Sequence, residues 1–158
     1  MRPVTEREIR ESFVNCTKGE TRRLSVPRDL ATRPWADLDF LGWWDQAAPE
    51  RAYLVTCADE RLVGVALRRT TGGRRNMCSL CLTTHSGDGV ALMTARKAGK
   101  AGQQGNSVGS YLCADLACSL YVRGKKALEP GGRLQESLTE AEQIARLVTN
   151  LATFLARV

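Results

Sequence analysis

The sequence predicts an α+β fold: a β-hairpin, sheet and C-terminal helix gathered around a small metal-binding finger, with a short helical annex in front. Three observations predict it. Four of the six cysteines fall in two close pairs, Cys78-Ser-Leu-Cys81 and Cys113-Ala-Asp-Leu-Ala-Cys118. Apolar residues alternate through 51–69, and strand-like runs recur at 90–95 and 108–112. Residues 139–157 instead carry a stripe at helical spacing: Ile144, Leu147, Val148, Leu151, Phe154 and Leu155.

The cysteine pairs set the chemistry. A C-x2-C turn brings two thiolates about 3.5–4 Å apart, close to the edge of the tetrahedron that Zn²⁺ prefers. A second pair arriving from far along the chain completes the shell and leaves no position open for water, which defines a structural site. The competing reading is disulfides, which need an oxidising compartment. The start of the chain, Met1-Arg-Pro-Val-Thr-Glu, lacks the apolar core of a signal peptide. The expected cofactor is therefore one structural Zn²⁺ held by Cys78, Cys81, Cys113 and Cys118. Cys16 and Cys57 stand alone and read as small buried packing residues. His85, the only histidine, follows Cys81 at x3 spacing and could replace a thiolate. With four cysteines already paired, it reads as a turn residue.

At 158 residues with 43% apolar content, the chain suits one domain with a small annex. The expected division is an annex at 1–50 and an α/β domain at 51–158, with the finger at about 74–125. No run approaches the about 18 apolar residues needed to span a membrane, and the expected location is cytoplasmic. The net charge of +6 is unevenly placed: residues 51–126 hold 12 Lys/Arg against 4 Asp/Glu, while the flanks are near balance. A basic finger suits an acidic partner, either nucleic acid or an acidic protein face.

Along the chain, Thr5-Glu-Arg-Glu8 has capping-box form and opens a helix expected over 6–16, with Gly19 as a stop. Residues 21–34, which contain Pro27 and Pro34, read as an irregular crossing. A second helix is expected over 35–46, burying Leu38, Leu41 and Trp44 or Phe40 and Trp43. Tyr53, Val55 and Cys57 alternate, Asp59-Glu60 turns, and Val63, Val65 and Leu67 alternate again, giving a hairpin with one buried face. Residues 70–76 form a basic approach to the first cysteine pair. Gly87-Asp-Gly89 is a turn, and 99–107 is a glycine-rich polar loop without the pattern of a phosphate loop. Cys118 is expected in the first turn of a helix over 115–122, with Asp115 near its positive end. Pro130-Gly-Gly132 breaks the chain before Thr139-Glu-Ala-Glu142 caps the last helix, which should dock on the sheet.

A cysteine knuckle, a hairpin, and a second ligand pair at the start of a helix make the treble-clef arrangement. The run from Gly105 to Gly124, with Arg75-Asn-Met-Cys-Ser-Leu-Cys81 before it, resembles the C-terminal treble-clef finger of the elongation factor G-binding proteins, the family that includes fusidic-acid-resistance proteins. The resemblance implies that Cys78, Cys81, Cys113 and Cys118 hold a structural zinc. It also implies that the zinc-bearing domain docks on elongation factor G and can release it from the ribosome. Leu82 stands where that family has an aromatic contact residue.

Three function classes follow. The first is a non-enzymatic binder of elongation factor G, with Leu82, Arg96, Lys97, Lys100 and Tyr111 as contact residues. The second is ribosomal RNA binding through Arg68, Arg69, Arg74, Arg75, Arg96, Lys97 and Lys100, with Tyr111 or Tyr121 stacking. The third, an enzyme, is disfavoured by a closed four-thiolate shell and by one histidine between Thr84 and Ser86 that makes no triad.

Overall fold

The computed structural model describes residues 1–58, 60–70, 76–128, 130, 132 and 136–158. Five strands form one sheet: β1 (Phe40–Trp44), β2 (Arg51–Ala58), β3 (Arg61–Thr70), β4 (Val90–Arg96) and β5 (Ser107–Cys113). They lie side by side in chain order, each antiparallel to the next. The helices are α1 (Glu6–Glu11), α2 (Lys18–Arg23), α3 (Gly99–Gln103), α4 (Cys118–Val122) and α5 (Glu140–Leu155).

The sheet is covered on both faces. One core joins Leu54, Leu67, Met93 and Leu112 to Leu147, Leu151 and Phe154 of α5 and to the four paired cysteines. A second core joins Tyr53 and Val55 to Ile9, Leu24 and Trp35 of the first forty residues. Two covered faces explain why Ala52, Tyr53, Leu54, Val55 and Thr56 are buried in succession, where the alternation suggested one buried face. Full burial of a Leu or Phe contributes about 1.5–3 kcal/mol, so the buried stripe of α5 dominates its docking. Val148 lies off that stripe and is 46% exposed.

The helix expected over 35–46 does not form. One 3-10 turn, Trp35–Asp37, leads into β1. Phe40 and Trp44 pack in the first core, whereas Leu41 and Trp43 pack in the second. A segment apolar on both sides fits between two cores as a strand better than as a one-sided helix. Gly42 is required there, because a Cβ would lie 2.5 Å from the Cβ of Leu116.

Helix α1 has the expected capping box but stops at Glu11. Beyond it, Ser12 and Val14 exchange backbone hydrogen bonds with Gly64, and that bridge to β3 replaces the rest of the expected helix. Gly19 ends nothing; it lies inside α2, which opens on its own capping box, Thr17 with Glu20. The loop expected at 99–107 contains α3, entered at Gly99 (φ +63°) and left at Gly105 (φ +86°). Cys57 is exposed near the end of β2 and Cys16 is half-buried, so the expected burial fails for Cys57. Asp59 of the expected turn, residues 71–75 of the basic approach with Arg74 and Arg75, and Gly131 of the Pro-Gly-Gly break lie outside the described residues.

Candidate metal centre

The knuckle between β3 and β4 is shaped by its own backbone. Cys78 N–H donates to Thr83 O (2.9 Å) and Leu82 N–H to Cys78 O (3.0 Å), with Leu82 in the left-handed region at φ +58°. The knuckle is also pinned to β5, since Ser79 N–H donates to Tyr111 O at 2.7 Å. Strand β5 delivers Cys113 at its last position, and α4 opens on Cys118. Between them Leu116 adopts φ +56°, and Asp115 Oδ1 accepts from Ala117 N–H at 3.1 Å.

These elements bring the four Sγ atoms within 4.8 Å of one another, all of them buried. Cys78 and Cys118 Sγ lie 3.7 Å apart, and Cys81 and Cys113 Sγ 3.5 Å apart. The edge of a tetrahedron with Zn–S of about 2.3 Å is about 3.8 Å, so the donor set fits a structural Zn²⁺. Charge points the same way. Cys81 is pulled far down from the ordinary thiol range by hydrogen bonds from Cys113, Cys118 and Cys78. Cys118 is pushed well up by its hydrogen bond with Cys113, by Cys78 and Cys81, and by burial. Without a cation, the four groups cannot all ionise; a divalent ion at their centre makes four thiolates compatible. A shell closed by four sulfurs cross-links the fold and offers no site for an activated water.

A second layer surrounds the thiols. Thr83 Oγ1 lies 2.9 Å from Cys81 Sγ, and His85 Nε2 lies 3.0 Å from Thr83 Oγ1 and 3.3 Å from Cys113 Sγ. His85 is therefore neither among the four clustered donors nor only a turn residue: it rests on the Cys113 sulfur. Its ring meets Tyr121 edge-on at 4.9 Å, and the Tyr121 hydroxyl donates to Asp115 Oδ2 at 2.6 Å. The x3 spacing after Cys81 was the available signal for this placement. Two contacts tie the finger to the rest. Asn150 of α5 donates to Leu80 O (2.9 Å), and Arg123 forms a two-pronged bond to Asp39 (2.6 and 2.9 Å).

The five expected contact residues fall in two groups. Leu82 and Tyr111 lie at the zinc end, both half-buried. Arg96, Lys97 and Lys100 lie at the other end of the β4–β5 hairpin, where Arg96 pairs with Ser107 in register. Four residues of strand, about 13 Å, separate Tyr111 from Ser107. Arg96 does not extend freely from the tip; it turns back onto Asn15 O (2.9 Å) and Glu20 Oε2 (3.0 Å). Tyr121, the other stacking candidate, is buried.

Knuckle, hairpin, and a helix opening on the fourth cysteine define this as a treble-clef zinc-finger protein. The family model described as "FBP C-terminal treble-clef zinc-finger" matches residues 8–158, and the chain belongs to that family. Its fold is similar to that of a solved structure titled "Structure of the fusidic acid resistance protein FusC", with a TM-score of 0.56 and 16% identity. That similarity covers 85% of this chain and 51% of the FusC chain, so this chain spans about half the length of that relative. No curated protein matches the sequence. Among the described residues, no helix is long and apolar enough to cross a membrane.

Proposed function

We propose that this chain is a non-enzymatic zinc-finger protein that binds elongation factor G and promotes the factor's release from the ribosome, in the manner of fusidic acid protection. Family membership across residues 8–158 carries the reading. The fold it shares with a protein named for fusidic acid resistance supports it. So does the division of labour in the molecule: the metal is enclosed and structural, and the excess positive charge lies on the same part of the chain. A standard interface of about 800 Å² per partner is wide enough to take in both groups of contact residues, Leu82 and Tyr111 with Arg96, Lys97 and Lys100.

The test is biolayer interferometry of the zinc-loaded chain against purified elongation factor G, with a parallel pull-down before and after nuclease. The expected result is a nuclease-resistant complex that weakens as salt rises. No complex at low salt, together with binding to ribosomal RNA fragments, makes the partner the nucleic acid and overturns the reading.

A further inference from the structure

A cavity of about 310 Å³ lies against the sheet face that carries the second core, and three arginines line it: Arg51, Arg68 and Arg96. Two of them should not be neighbours on stability grounds. Arg51 of β2 and Arg68 of β3 are register partners, with Cα atoms about 5 Å apart and side chains on one face. Like charges directly opposite on paired strands are destabilising. Of the other arginines, Arg7, Arg10, Arg33, Arg123 and Arg146 each pair with a carboxylate. Among the described residues, neither Arg51 nor Arg68 has one within ion-pair distance.

The cavity lining itself supplies little negative charge against these guanidinium groups. It contains one carboxylate, Glu20, which is engaged by Arg96 (3.0 Å) and by the Thr17 N–H (2.6 Å). The Cys16 thiol in the wall is pushed up to about 11, first by burial and then by Glu20, so it stays neutral. The lining's three guanidinium groups face one carboxylate, and Asp45, behind Tyr53, joins Glu20 in attracting Arg51. The hydroxyls of Thr94 and Ser107 lie in the same lining. Two arginines are also held in place. Arg51 lies against the Tyr53 hydroxyl, which donates to Asp45 at 2.7 Å, and Arg96 is fixed by Asn15 O and Glu20.

We propose that this cavity is a binding site for a phosphate monoester on a small molecule. A phosphate carries about −1.5 to −2 charges at pH 7 and three strong acceptor oxygens, which matches a lining of three guanidinium groups and one carboxylate and the forked donors of arginine. The volume lies at the lower bound of small-ligand pockets, about 300 Å³, which suits a compact ligand of mononucleotide size. An anion in the cavity adds a counter-charge beside Arg51 and Arg68, so the ligand stabilises the sheet as it binds. The site shares Arg96 with the proposed elongation factor contact, but its test uses no elongation factor, so the two readings fail separately.

The test titrates the zinc-loaded full chain with inorganic phosphate, guanosine monophosphate, and an unphosphorylated single-stranded RNA octamer. Amide and arginine Nε–H NMR shifts are followed, with sodium chloride at matched ionic strength as the reference. Saturable shifts are expected with phosphate, centred on Arg51, Arg68, Thr94 and Ser107, with the mononucleotide binding more tightly than phosphate. Arg68→Gln should weaken both at least tenfold, while Arg69→Gln, on the opposite face of β3, changes neither by more than twofold. Glu20→Gln, which releases Arg96, should strengthen binding. Phosphate shifts no larger than those from chloride, or equal losses in Arg68→Gln and Arg69→Gln, overturn the proposal. Tighter binding of the octamer than of the mononucleotide also overturns it, since the ligand is then an RNA strand on an open basic face.

Discussion

Single side chains around the cysteines decide whether the metal stays. Replacing Cys113 by Ser removes a soft thiolate and leaves His85 without the sulfur it rests on, so the purified variant should retain far less than one zinc per chain. Metal analysis beside the wild type checks this, and full retention would exclude Cys113 as a ligand. Glu8 offers a pH signature. It is held down to about 2, first by its hydrogen bond from Arg2 and then by the backbone and hydroxyl of Thr5. The unfolded value is about 4.3, so this cap contributes fully above that pH and is lost as pH falls through about 2. Thermal melts should show a constant gap between wild type and Glu8→Gln above about pH 4.5 that closes toward pH 2. The four thiols and the Thr5–Glu8 box were legible in the sequence because each is a short-range pattern. The pairing of Arg51 with Arg68 was not, because register follows from the hydrophobic pattern together with the turn, and a hairpin with one buried face sets Arg51 opposite a residue other than Arg68.

At the scale of elements, the two hairpins, the helix opening on Cys118 and the capped C-terminal helix follow from periodicity and caps. Strand β1 does not, since Phe-Leu-Gly-Trp-Trp is apolar on both sides and carries neither period. Helix α2 was hidden by Gly19, although Thr17 and Glu20 three residues later spell the same box that was read at Thr5 and Glu8. The seam between β1 and the finger gives a test. A methyl added at Gly42 meets the Leu116 side chain, which lies between the third and fourth cysteines. Gly42→Ala should cost about 1–3 kcal/mol by overpacking and speed zinc loss to a chelator, both measurable by denaturant melts and a colorimetric zinc indicator. On the β4–β5 hairpin, Tyr111→Ala should accelerate dissociation from elongation factor G, the behaviour of a packed anchor worth about 2 kcal/mol or more. Lys97→Ala should slow association chiefly at low salt, as peripheral charges do. Interferometry resolves the two rates.

For the molecule as a whole, the zinc site belongs to one core, and Ile9, Leu24 and Trp35 to the other. Trp44 packs on the zinc-bearing core, and its indole N–H donates to Ala114 O, next to Cys113 (2.7 Å). Trp35 and Trp43 belong to the opposite core, bonded to Leu30 O and Ser25 O. Chelation should therefore shift the emission of a variant keeping only Trp44, and leave one keeping only Trp43 nearly unchanged at first. Equal and simultaneous shifts would show that the two faces unfold as one unit. The order of the strands sets the tempo of assembly as well. Because each strand pairs with its neighbour in sequence, contacts form locally and the sheet can be laid down as the chain is synthesised. The first cysteine pair emerges between β3 and β4, but the second arrives only after β5. Metal capture thus closes a sheet that is already paired, and refolding of the strands should run at the same rate whatever the zinc concentration.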